Sequence, residues 1–358
     1  MTARFVAFVA TLCLATSMFL LAADPDSLRD PREIHLRNIR QLTTGGKHAE
    51  AYFSFAEDMI CFQASPLNNP CDQIFLMDTA GQRRKQVSPG YGRTTCAYFL
   101  PDGRLLYATT HLNDTACPPP PSRELGYVWP VYASYDIVIV DTSTGRILQR
   151  LASTDGYDAE ATVSPRGDRI VFTSARDGDL ELYSCNLDGS DLRRLTFTPG
   201  YDGGAFYSWD GRQIVYRAYH PTGAELEEYY RLLRQQVVRP HRTEIFVMDA
   251  DGRNVRQITN NGAANFAPFF HPDGKRIIFS SNLHDPTRRS FSLYIINTDG
   301  TGLRRITYGA SFDSFPMFTR DGKKLIFCSN RNARYPGEFN IFIADWLEEP
   351  TAAPQPHR

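Results

Sequence analysis

Of the motifs that announce catalytic or nucleotide chemistry, this chain has none. Its 358 residues contain no G-x-S-x-G, no H-E-x-x-H, no P-loop spacing and no C-x-x-C. Those absences remove the nucleophile elbow, the zinc-protease helix, the phosphate-cradling loop and the dithiol redox or metal pair. An excess of one charge sign is missing too: 39 Lys and Arg face 40 Asp and Glu, for a net charge of −1. Without a basic field, nucleic acid and anionic lipid surfaces are not expected partners. Long apolar runs are scarce. The one that exists, Phe5 to Ala23, follows a lone Arg4 and reads as a secretory signal. Leu21-Ala22-Ala23 lacks a small residue at both cleavage positions, and the run is nearly long enough to span a bilayer. Residues 1–23 are therefore signal peptide or N-terminal anchor, and the expected location is periplasmic or extracellular. No membrane insertion is expected beyond that segment, and Cys13 lacks the setting that lipidation needs.

What is present is a repeat. Gly156 to Thr196 contains four short strands joined by tight turns: Ala161–Ser164, Arg169–Ser174, Leu180–Asn186 and Leu192–Thr196. Such a meander cannot bury both faces alone and needs copies of itself as neighbours. The copies show in their fourth-strand ends: Leu42-Thr43, Val87-Ser88, Leu151-Ala152, Leu195-Thr196, Ile258-Thr259 and Ile306-Thr307. These ends lie about 45, 64, 44, 63 and 48 residues apart, near the roughly 40 to 50 of propeller blades once two insertions are set aside. Each is followed by a first strand and a turn, as in Leu100-Pro101-Asp102-Gly103 and His271-Pro272-Asp273-Gly274. The fold expected is all-β, a six-bladed β-propeller.

The x-P-D-G turn, the apolar strand after it and the N-x-D-G-x-x-x-R-x-(L/I)-T ending resemble the repeats of TolB-type six-bladed propellers. The likeness covers roughly residues 40 to 346 and is sharpest at Asn186–Thr196, Asp249–Thr259 and Asn297–Thr307. Blade one departs from it, with Phe55-Ala56-Glu57 in place of Pro-Asp-Gly. The α/β domain that precedes the propeller in TolB itself is not in this sequence, so the resemblance implies the fold rather than the Tol translocation role.

The last blade has three strands and then a Pro-rich end. The segment Ile34 to Thr43 ends like a fourth strand with no blade before it, so it is expected to pair with Asn340–Ala344 and close the ring. The domain division that follows is 24–33 linker, 34–346 propeller and 347–358 Pro-rich disordered tail. Two blades carry insertions between their second and third strands. In blade two, 111–135 is Pro-rich and aromatic, with Tyr127, Trp129 and Tyr132 suited either to stacking on a ligand or to covering the blade. In blade four, 221–242 places Leu226, Tyr229, Leu233 and Val237 at helical spacing, a short amphipathic helix. Strand alternation puts both insertions at one mouth of the channel. Cys185 and Cys328 sit in strands as small core residues. Cys71, Cys96 and Cys117 lie near that mouth, and Cys96–Cys117 is the favoured disulfide, although spacing alone does not fix connectivity.

Aligning the blades places His48, Thr94, Asp158, Asp202, Asn265 and Asp313 at one position of the innermost strand. Two residues further in come Glu50, Cys96, Glu160, Gly204, Ala267 and Phe315. The first set with Glu50 and Glu160 is the candidate ligand shell. Oxygen-rich clusters suit Ca²⁺ or a cationic group, and no other cofactor is expected. Asp and Asn at strand entrances also cap turns, which gives each position a structural reading beside the ligand reading. The expected function is a monomeric, exported, non-enzymatic propeller that binds a protein partner or a small polar ligand at the decorated mouth. The alternative is a hydrolase or lyase acting on cell-envelope polysaccharide through the channel carboxylates. A closed pocket with a convergent acid and base would favour the alternative over an open bowl.

Overall fold

A computed structural model describes residues 26–65 and 70–348 of the chain. The expected signal or anchor and nearly all of the Pro-rich tail lie outside the described residues. Six four-stranded antiparallel sheets form the blades of a propeller. The first, innermost strands are Lys47–Phe53, Thr94–Phe99, Asp158–Val163, Tyr201–Tyr207, Asn265–Phe270 and Asp313–Phe318. Second strands carry an aromatic ring at one equivalent position: Phe62, Tyr107, Phe172, Tyr216, Phe279 and Phe327, each at most 1% exposed. Five of these rings stack on a third-strand aromatic of the same blade, at Phe75, Tyr183, Phe246, Tyr294 and Phe342.

The (L/I)-T ending has a physical cause. The hydroxyls of Thr43, Ser88, Thr196, Thr259 and Thr307 each accept the backbone N–H of the second residue of the neighbouring third strand, at 2.8–2.9 Å. Each hydroxyl satisfies a buried donor where the short fourth strand ends. Ala152, which has no hydroxyl, breaks the pattern in blade two at the end of the fourth strand Ile147–Ala152. The P-D-G turns place glycine in the left-handed region, with φ 82° at Gly103 and 67° at Gly274. Blade one makes the same turn with Glu57 at φ 58°, so the departure from Pro-Asp-Gly costs strain but not the hairpin.

The ring closes as expected. Leu36–Gln41 pairs antiparallel with Asn340–Trp346, from Leu36 opposite Trp346 to Gln41 opposite Phe342. The segment before it is not a free linker: from residue 26 it turns against blade six, where fully buried Glu33 meets Arg331 at 3.0 Å.

Two expectations are corrected. The disulfide joins Cys71 to Cys117, and Cys96 is free. Cys71 lies just before the third strand of blade one and Cys117 in the insertion of the adjacent blade, so connectors that are distant in sequence meet at the shared mouth. Cys96 instead faces the channel. A 46-residue separation gives this bridge about 4 kcal/mol of loop-closure stabilisation on a chain-entropy basis. The helix runs Ala224–Leu233 and stops short of Val237. Gln236 turns the chain at φ 57°, and Val237–Val238 then pairs with Trp129–Pro130 as a two-stranded ladder. The two insertions thus do not hang separately. They join over the mouth, and Val131, Tyr135, Tyr157, Tyr229 and Val238 form a small core of their own. The Tyr229 hydroxyl lies 2.6 Å from both Asp179 Oδ1 and the Gly200 carbonyl, which fixes the helix to blades three and four. No helix among the described residues is long and apolar enough to cross a membrane.

Candidate functional site

One position of the inner strands creates the site. Glu50, Cys96, Glu160, Gly204, Ala267 and Phe315 all have φ between 49° and 59°, and in every blade the pairing register slips across this residue. This is a β-bulge repeated six times. A bulge re-aims its side chain, and here all six residues line one cavity of about 290 Å³. Five of the six are not glycine and hold a conformation that L-residues seldom adopt, so the ring geometry imposes it.

Below, the channel is blocked. Phe206 borders both this cavity and a small one of about 30 Å³ on the far side, and Tyr52 borders this one. Their rings stand 5.4 Å apart, with Tyr98 at 5.6 Å from Tyr52 and Phe269 at 5.3 Å from Phe206. Above, Tyr127, Trp129 and Val131 of the joined insertions roof the mouth. The site is a half-open cup, blocked below and partly roofed above.

Its chemistry is lopsided. Gly204 leaves a gap in the ring that is filled by Arg217 from the second strand Gln213–Tyr219: a Cβ at Gly204 would overlap Nη1. The guanidinium lies between the rings of Trp129 and Tyr201, 5.0 and 5.1 Å from their centroids. Nη2 donates to Glu160 and to the Tyr201 hydroxyl. Glu160 also accepts from Thr173 at 2.8 Å and from the Gly204 backbone N–H at 2.9 Å. Burial opposes the charge on Arg217, but Glu160 and Tyr201 hold it fully protonated. Glu50, in blade one, has no ion pair among the described residues. Burial pushes its carboxyl up to about 7, against a partial relief from the Cys96 thiol, with Glu160 adding to the rise. Burial also raises the Cys96 thiol, which makes it a poor nucleophile. Blades five and six contribute Phe266, Ala267, Phe312 and Phe315 and no charge.

The other predicted level is not part of this wall. His48, Thr94, Asp158, Asp202, Asn265 and Asp313 are 0–5% exposed, and none lines the cavity. Asp158 pairs with Arg176 at 3.0 Å, Asp202 with His220 at 2.9 Å and Asp313 with Arg331 at 3.3 Å. Thr94 donates to the Asp72 carbonyl and Asn265 to the Thr243 carbonyl, while His48 bonds the Phe339 carbonyl. These side chains tie each first strand to connectors at the mouth, which takes up part of the expected ring of acceptors; Asp202 Oδ2, Asn265 Oδ1 and Asp313 Oδ2 are buried with no hydrogen-bond partner among the described residues. No group of three or more His, Cys, Asp or Glu among the described residues is placed to hold a metal ion. Of the loop aromatics, Tyr127 and Trp129 reach the cavity; Tyr132 does not, and its hydroxyl donates to the Pro119 carbonyl.

The residue that the sequence reading missed is Arg217. Register equates it with Gln63, Ala108, Thr173, Ser280 and Cys328 in the other blades. A lone cation in that otherwise uncharged column, within the apolar run Ile214–Tyr219, was the available signal.

No protein-family model matches the chain, and no curated protein matches it by sequence. Among solved structures, a putative TolB from Agrobacterium tumefaciens aligns with TM-score 0.54 at 16% identity, covering 86% of this chain and 94% of that one. TolB from Acinetobacter baumannii aligns with TM-score 0.52 at 19% identity over 74% of this chain, which spans only 55% of that protein's length. An oligogalacturonate lyase from Vibrio parahaemolyticus aligns with TM-score 0.50 at 14% identity, over 87% of this chain and 93% of that one. The chain has the TolB-like six-bladed propeller fold. At these identities the likeness is one of fold, which binding and enzymatic proteins share.

Proposed function

We propose that this protein is an exported, non-enzymatic propeller that binds a small polar ligand in the cup at its channel mouth. One observation carries the reading: the cup is blocked below, partly roofed above and lined on one side by buried charged groups and on the other by phenylalanines. Its volume, about 290 Å³, sits at the small end of ligand sites, which run roughly 300–1,000 Å³. A protein segment would need an open groove instead. The Cys71–Cys117 bridge supports export to an oxidising compartment. The test is a cavity-filling variant. Ala267→Phe gives blade five the side chain that blade six already carries at the same bulge, so the backbone tolerates it. A thermal-shift screen of small polar metabolites should find a ligand that stabilises the natural protein and not the variant. Equal stabilisation of both, or no ligand at all, overturns the proposal.

A second reading rests on Glu50, whose carboxyl is pushed up to about 7 beside the Arg217-paired Glu160. A buried carboxyl that holds its proton near neutrality suits acid–base chemistry on a polar substrate such as a sugar chain. Mass spectrometry of any ligand recovered after incubation separates the readings: an unchanged ligand supports binding, and a cleaved one supports the enzyme.

A further inference from the structure

The cup has two poles and two sides. Glu50 and Arg217 belong to blades one and four, which face each other across a six-bladed ring. At one pole the Glu50 carboxyl lacks a cationic partner among the described residues, and the Cys96 thiol is its bonding neighbour. At the other pole, Arg217 engages Glu160 and Tyr201 through Nη2 alone. Its Nη1 occupies the channel-facing place that Gly204 leaves empty, and among the described residues it donates no hydrogen bond. Arg217 is only 6% exposed, and its buried Nε also has no acceptor. An arginine so desolvated and half-satisfied calls for a second acceptor, since guanidinium presents five donors and a carboxylate matches two of them. Between the poles, one side is lined by Gln63, Thr95 and Tyr157, with Thr95 Oγ1 donating to Gln63 Oε1 at 2.8 Å, and the opposite side by Phe266, Ala267, Phe312 and Phe315.

We infer that the ligand is a small zwitterion with an apolar side chain, a free apolar α-amino acid. Its ammonium group pairs with Glu50, its carboxylate takes Arg217 Nη1, and its side chain packs on the phenylalanine wall. The inference rests on the ligand-binding reading above and specifies it. Glu160 is paired with Arg217 and Asp72 with Arg93 at 2.9 Å, so Glu50 is the carboxyl left for the bound ammonium, while Arg217 shares its one charge between Glu160 and the ligand carboxylate. The same chemistry is presented by halves at the two ends of a peptide, and the probes below separate these sources.

Calorimetric titration of the purified chain with L-leucine and L-phenylalanine, each compared with its N-acetyl and its carboxamide form, tests the inference. A free amino acid should bind, with each blocked form weaker by about tenfold or more, because each leaves one buried pole without its partner. Glu50→Gln keeps the shape of the side chain and should abolish the preference over the N-acetyl form while keeping the preference over the amide. Three results overturn the inference: neither amino acid binds, a blocked form binds as well as the free one, or Glu50→Gln leaves the preference intact. A tight amide would indicate a peptide N-terminus, and a tight N-acetyl form a peptide C-terminus. If another metabolite binds the natural chain and not Ala267→Phe, the cup remains the site and only the zwitterion is lost; if nothing binds, both readings fall.

Discussion

Two levels of the channel, two residues apart along each first strand, behave in opposite ways. At the outer level, His48, Thr94, Asp158, Asp202, Asn265 and Asp313 are alike in being polar, buried and bonded to neighbouring connectors. At the inner level, Glu50, Cys96, Glu160, Gly204, Ala267 and Phe315 share a backbone geometry and no common chemistry. A demand made by the repeat recurs in every copy, so the residues that answer it look alike. A ligand in the cup would meet all six blades at once and ask something different of each. On the proposed reading, similarity between copies marks the fold and dissimilarity marks the site.

The comparison can be broken most forcefully at the outer level. Arg331, whose side chain is 3% exposed, lies between Glu33 and Asp313, both fully buried. Arg331→Ala would leave two buried carboxylates facing each other, and about 3–5 kcal/mol of stability should be lost in urea denaturation. A loss under about 1 kcal/mol would show that these ion pairs do not hold the blades. Asp158→Ala removes bonds to Arg176 and Thr154 and should cost about 2 kcal/mol, by the same amount in EDTA and in millimolar Ca²⁺. If Ca²⁺ stabilises the natural protein and not this variant, the outer level is a cation site after all.

The inner level should respond with a stability change of the opposite sign that appears only as pH rises. Glu50 faces Cys96, Glu160, Asp72 and Arg217, and its carboxyl rises from 4.5 to about 7 on folding. A raised folded-state value means that the folded chain keeps a proton that the unfolded chain has released. Stability from this group is therefore whole below about pH 4.5 and declines as pH rises towards 7. Glu50→Gln should abolish that decline, gaining about 2–3 kcal/mol on the natural protein between the two ends of the window. Parallel urea titrations across pH check the sign. A variant less stable than the natural protein at pH 7 would mean that the Glu50 carboxylate is structural.

Periodicity alone was enough for the blades. The P-D-G turns, the recurring (L/I)-T endings and the orphan fourth strand at Leu36–Gln41 are local signals, and each acts through bonds made within one blade or across the closure. The same alignment brought Glu50 and Glu160 to one level, because register is periodic. Tertiary structure alone decided the rest. Whether Asp158 faces a ligand or Arg176 depends on a connector folding back over the strand, and the choice of Cys71 over Cys96 for Cys117 depends on two connectors of neighbouring blades meeting in space. The bulge that turns six dissimilar residues into one cavity wall has no residue type of its own. It comes from the curvature of a closed ring, which no single repeat contains.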